Sequence, residues 1–166
     1  NPGKFSRWYG LGVNIFSYAL TIGMLYYLAL TVFGNRQKAL IATGLWAFSL
    51  GAVNMVMYIR MYCLLTLFTI SVTAFTLKYM KTGSYIALFL AYLCFILGGL
   101  TDYIFWIFGF FLTLAFVIVR FRHHFLQAFT YAAVALAGFL STCAIFPTTY
   151  QQFINSNSLS RRATNN

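Results

Sequence analysis

The chain is a succession of long apolar runs separated by short polar groups, and within the runs polar and apolar positions do not alternate. Residues 13–33 carry no charge, and a helix of about 20 such residues spans a hydrocarbon core about 30 Å thick. Gly34 to Lys38 interrupts the pattern, and residues 39–59 form a second run that Arg60 ends. A third run, residues 61–77, is followed by Lys78, Lys81 and the Thr82-Gly83-Ser84 group. Residues 85–100 and 103–119 flank Thr101 and Asp102; a single helix over both would measure about 50 Å at 1.5 Å per residue. A break is therefore expected beside Asp102, at Gly98-Gly99, because glycine weakens a helix and a charge prefers the interface. Arg120 to His124 closes the fifth run, and residues 125–146 form the sixth, ended by Pro147. Transmembrane strands would alternate polar and apolar residues over short segments, so the pattern predicts helices.

The expected fold is an all-α integral membrane bundle of about six transmembrane helices, at 13–33, 39–59, 61–77, 85–100, 103–119 and 125–146. Residues 1–166 read as one transmembrane domain, with 147–166 a polar segment on the outer side. The first residue is Asn1 and the last twelve residues are polar, so the chain is expected to be an internal piece of a longer membrane protein.

Composition reinforces this reading. Of the 166 residues, 61% are hydrophobic and 7% charged, against about 25% charged in soluble domains; the mean hydropathy is +0.80. Too few polar side chains remain to cover a water-facing surface. Asp102 is the single acid, which excludes paired-carboxylate hydrolysis and carboxylate metal cages built from this chain alone. The net charge of +10 comes from small basic groups between the runs, not from the contiguous footprint that nucleic acid requires, so no nucleic-acid partner is expected. Cys63, Cys94 and Cys143 lie inside apolar runs with no CxxC pair, and His123-His124 lacks the i, i+4 spacing of a helical metal pair. A divalent metal cofactor is left open, without evident ligands.

The loops divide by charge. One set holds Arg36, Lys38, Lys78, Lys81, Arg120 and Arg122; the other internal set holds Arg60 and Asp102. The positive-inside rule makes the first set cytoplasmic and puts Arg60, Asp102 and both chain ends on the outer side. Trp8, Tyr9, Tyr58, Tyr62, Tyr103 and Trp106 flank these boundaries as an aromatic belt would.

Arg60 lies between Tyr58 and Tyr62 in otherwise apolar sequence. It either snorkels to the headgroups or holds a phosphate, to which a planar, permanently charged guanidinium is suited. Asp102 is either an interface turn residue or the counter-ion of Arg60 in a shared outer cavity; as a lone catalytic base it is a weak candidate, and the catalytic residues are otherwise unknown. The candidate substrate-binding set is Arg60, Tyr58, Tyr62 and Asp102.

Three segments carry a resemblance: residues 5–14 (FSRWYGLGVN), 58–68 (YIRMYCLLTLF) and 98–105 (GGLTDYIF). In that order they look like the middle of bacterial multi-spanning glycosyltransferases of the protein O-mannosyltransferase type (family 39, GT-C fold). That family has an R-M-Y-x-L-L segment opening a span and a G-x-L-T-H-Y-Y-F segment about a span and a half later. Phe146-Pro147 and Ser160-Arg161 resemble, more loosely, its outer-loop F-P … S-x-R-G stretch. Asp102 stands where the pattern has His, and Arg162 where it has Gly. The resemblance implies transfer of a sugar from a polyprenyl-phosphate donor to an acceptor outside a bacterial plasma membrane, with the catalytic acid in a loop before Asn1. It makes Arg60 the candidate phosphate partner, and the lipid bilayer and a polyprenyl-phosphate-linked sugar the expected partners.

The competing class is a non-enzymatic multi-pass protein, a transporter or structural subunit. Asn14, Ser17, Thr21, Ser49, Asn54 and the Thr and Ser residues of later runs would line a pathway or serve as helix contacts. The runs show no repeat and no midplane charge, both of which transporters commonly have.

Overall fold

A computed structural model describes residues 7–57 and 61–146. These residues form seven helices and no strand: α1 (Arg7–Phe33), α2 (Arg36–Ala47), α3 (Leu50–Met57), α4 (Tyr62–Thr82), α5 (Tyr85–Thr101), α6 (Ile104–Arg120) and α7 (Phe125–Ile145). The all-helical expectation holds. By length and apolarity α1, α4 and α7 are each able to cross a membrane, and α2 with α3 makes a fourth if the bent pair is one span. At 17 residues each, α5 and α6 are about 25 Å long.

Short connections fold α2 back onto α1, α5 onto α4, α6 onto α5 and α7 onto α6. Asn35 starts α2, its side chain accepting from the backbone N–H of Gln37 at 2.8 Å and of Lys38 at 3.4 Å, which satisfies donors the first turn cannot. Gly83, at φ 65°, ends α4 in the left-handed conformation, its N–H bonded to the Tyr79 carbonyl at 2.8 Å. A side chain rarely adopts that backbone geometry. The helix thus runs past the expected end at residue 77 and carries Lys78 and Lys81 on its last turns.

Two expectations are corrected. The second run, 39–59, is not one continuous helix: α2 and α3 meet at Phe48-Ser49 with a bend of 53°. There the Phe48 N–H returns to the Gly44 carbonyl and the Ser49 side chain accepts from the Ala52 N–H at 3.3 Å, opening the next helix. The other correction concerns the α5–α6 break, which falls at Asp102-Tyr103 and not at Gly98-Gly99. Those glycines stay helical because α6 folds back onto them. A Cβ on Gly98 would lie 2.5 Å from the Phe105 ring, and one on Gly99 2.4 Å from the Trp106 indole.

Packing has two textures. In α4–α7, Phe95, Phe105, Trp106, Phe116 and Tyr131 form a buried aromatic core, with Phe116 and Tyr131 stacked at 4.3 Å and Trp106 edge-on to Phe139 at 5.1 Å. Trp106 is therefore 8% exposed and is a core residue, not part of a headgroup belt. Hydrogen bonds tie these helices: Thr76 to Tyr131 at 2.6 Å, Tyr79 to Thr130 at 2.8 Å and Tyr92 to Ser141 at 2.9 Å. Where lipid is the solvent, close packing and such bonds hold helices together, since apolar burial alone gives little. In α1–α3 the buried residues are small or polar instead: Asn14, Ser17, Thr21, Ala39, Thr43, Ala47 and Ala52.

Candidate functional site

The turn at Asp102 closes one end of the bundle. Its N–H reaches the Gly98 carbonyl at 3.2 Å, its carboxylate accepts the Ile104 N–H at 3.0 Å, and its own carbonyl accepts the Phe105 N–H at 3.1 Å. One carboxylate oxygen thus caps the first turn of α6, where helix N–H groups and the positive end of the dipole favour an acid. The side chain remains partly exposed. Because α4 and α5 pack as an antiparallel pair joined only by Gly83-Ser84, Tyr62 at the start of α4 shares this end with Asp102 and Tyr103. Tyr62 and Tyr103 are both exposed. Arg60 and Tyr58 lie outside the described residues, so the expected Arg60–Asp102 pair is neither made nor broken here.

Beneath the Asp102 turn, α6 and α7, with Phe95 of α5, form an open apolar groove of about 480 Å³, lined by Phe95, Trp106, Phe110, Leu136 and Phe139 with Thr113 as its one hydroxyl. It begins within one turn of the start of α6. An apolar chain fits this lining; a sugar or a metal ion does not, for want of donors and ligands. Among the described residues no group of three His, Cys, Asp or Glu is placed to hold a metal.

A second polar region lies along α1, whose residues the sequence offered as pathway lining or helix contacts. Asn14, Ser17 and Thr21 are buried along one face of α1, at spacings that place them on a common stripe. The Asn14 amide donates to the Val56 carbonyl at 3.2 Å, and the Tyr18 hydroxyl donates to the carbonyl of Ala47, the last residue before the α2–α3 bend. Thr43, 5% exposed, has a hydroxyl with no hydrogen-bond partner among the described residues. Ser17, Thr21 and Ser49 were available as polar positions; that Ser49 opens a new helix after a 53° bend was not read from them.

The opposite end is basic. The Lys81 ammonium donates to the Thr31 carbonyl at the end of α1, and the Arg120 guanidinium to the Met80 carbonyl at the end of α4. Lys78 lies 5.7 Å from the centre of the Tyr27 ring. Cations there complement the negative ends of two helix dipoles.

No family model, no curated protein and no solved structure matches the chain.

Proposed function

We propose that this chain is the donor-binding part of a membrane glycosyltransferase that moves a sugar from a polyprenyl phosphate to an acceptor at the Asp102 end of the bundle. On this reading all six apolar runs cross a bacterial plasma membrane, α2 and α3 together as one crossing, with the Asp102 end outside and the Lys81 end in the cytoplasm. The observation that carries it is a juxtaposition: the described part of one family-like segment, residues 61–68, and the whole of another, 98–105, lie at one end of the α4–α5 pair, beside an apolar groove. The prenyl tail lies in the apolar groove, the phosphate at the boundary near Arg60, and the sugar above it.

The chemistry follows from that placement. An acceptor hydroxyl oxygen forms the new bond to the anomeric carbon as the bond from that carbon to the phosphate oxygen breaks. The hydroxyl proton passes to a base, and the electron pair leaves with the phosphate. A guanidinium beside the phosphate favours the charge that builds on it. Since phosphate is already a good leaving group, holding donor and acceptor in line supplies much of the remaining effect.

Binding of a polyprenyl-phosphate hexose to the chain reconstituted in lipid tests the reading. Arg60→Lys keeps the charge and loses the fork; losing one charge-assisted hydrogen bond, about 1.5–3 kcal/mol, weakens binding roughly ten- to over a hundredfold. Arg60→Ala weakens it at least as much. Parent-like binding by both variants makes Arg60 a snorkelling boundary residue, and absence of saturable binding by the parent overturns the assignment.

The α2–α3 bend favours a second reading, a transporter. Discontinuous helices facing a buried polar stripe form substrate sites near the bilayer midplane, and the bend stands opposite Tyr18 on α1. Solute flux into liposomes, together with no donor binding, would select this class.

A further inference from the structure

The basic end carries charge that the chain cannot neutralise itself. Arg36, Lys38, Lys78, Lys81, Arg120 and Arg122 all lie there, and the only acid of the whole chain, Asp102, caps the opposite end of α5. The length of that helix separates them by about 25 Å, well beyond a screening length of about 8 Å. The counter-charge for these cations therefore comes from outside these 166 residues.

Three of these cations are also held in place. Lys78 and Lys81 are one turn apart on α4 and both address the last turns of α1, the first over the Tyr27 ring at 5.7 Å and the second on the Thr31 carbonyl. Arg120 reaches the end of α4 from α6, onto the Met80 carbonyl. Each contact uses only part of the group: an ammonium has three donors and a guanidinium five. Lys78 and Lys81 are exposed and Arg120 half-buried, so donors remain for an anion. Cations already fixed at a helix junction lose little freedom on binding, and here they sit where long apolar helices end, at headgroup depth in a bilayer.

We infer that the end of α4, where α1 and α6 meet it, is a binding site for the headgroup phosphate of an anionic phospholipid, with Lys78, Lys81 and Arg120 as the clamp. The occupant is a lipid, not a soluble anion, because exposed apolar side chains surround the cations: Val32 and Phe33 on α1, Ile118, Val119 and Phe121 around Arg120. An anchored acyl chain covers such surface and a free phosphate cannot. The inference is independent of the glycosyltransferase reading.

The test is lipid retention by the 166-residue chain taken from nanodiscs containing equal phosphatidylglycerol and phosphatidylcholine, read by native mass spectrometry. The parent retains phosphatidylglycerol preferentially. Lys78→Gln and Lys81→Gln each lower that preference about fivefold, the effect of one cation near an anionic surface, whereas Lys81→Arg preserves it. Lys38→Gln, which removes an exposed cation from the same end but outside the clamp, leaves the preference within about twofold of the parent. Helicity of each variant is measured in parallel; if Lys81→Gln fails to fold, Lys78→Gln decides. No preference in the parent overturns the inference. So does an equal loss in Lys38→Gln, which would mean a diffuse basic surface, or displacement of the lipid by millimolar inorganic phosphate, which would mean a soluble-anion site.

Discussion

Replacing Gly99 by alanine tests the close approach of α6 to α5. A Cβ there would lie 2.4–2.6 Å from three atoms of the Trp106 indole, where carbon contacts are most favourable at about 3.5–4.0 Å. Something has to move by about 1 Å. The indole cannot turn aside cheaply, because it stacks on Phe95 at 6.0 Å and meets Phe139 edge-on at 5.1 Å, and Gly138 of α7 is also closely approached. Overpacking of this kind costs about 1–3 kcal/mol, a shift of about 5- to 150-fold in the unfolding equilibrium. Gly12→Ala is the control: nothing lies within 4 Å of its Cβ position, and replacing an uncrowded mid-helix glycine leaves α1 more stable, by about 0.5–1 kcal/mol. Unfolding by denaturing detergent in mixed micelles, followed by far-ultraviolet circular dichroism, measures both. Trp106→Leu removes the obstructing ring, so Gly99→Ala costs less in that background, by a coupling of about 0.5 kcal/mol or more. If Gly99→Ala and Gly12→Ala unfold alike, or if the Gly99 and Trp106 effects simply add, α6 does not fold back on α5 as described.

Other outcomes follow from the same geometry. Thr76→Val and Tyr131→Phe, each removing half of a buried interhelical hydrogen bond, show a coupling of about 0.6 kcal/mol in a double-mutant cycle, typical of such bonds in membranes; zero coupling would mean that the pair is not bonded. Asp102→Ala loses the bond to the Ile104 N–H and costs about 1 kcal/mol of stability, while Asp102→Asn, which retains an acceptor oxygen, recovers most of it. Equal loss in both variants would show that the negative charge matters and the cap does not.

The helices that the sequence declared were those whose ends carry local chemistry. Asn35 can cap α2, Gly83 can adopt the left-handed turn that stops α4, and Asp102 can open α6; each of these breaks stood out among apolar neighbours. The α2–α3 bend did not, because Phe48-Ser49-Leu50 contains no Gly, Pro or charge, and the bend stands beside contacts from α1 that only the fold brings near. Gly98-Gly99 misled for the opposite reason. Glycine signals either a break or a close approach, and which one applies depends on Phe105 and Trp106 returning from the next helix. Of the candidate site, Asp102 was legible as a turn residue, and Tyr62 stands at the same end of the α4–α5 pair, while Arg60 and Tyr58 lie outside the described residues. Trp106 looked like a boundary aromatic by position and is buried because the adjacent glycines make room for it. The Lys81 and Arg120 contacts were hidden, since a backbone carbonyl acceptor leaves no trace in the sequence.

The proposed function rests on α5 and α6 both crossing the membrane, so that the Asp102 turn and the basic end face opposite sides. Single cysteines at Gln37, Thr82, His123 and Tyr103, placed in a chain lacking Cys63, Cys94 and Cys143, measure this directly with a membrane-impermeant thiol reagent on intact cells. Tyr103 is expected to label from outside, and Gln37, Thr82 and His123 only after permeabilisation. Labelling of Tyr103 and Thr82 from the same side would mean that α5 does not cross, and the donor site proposed at the outer face would fall with it.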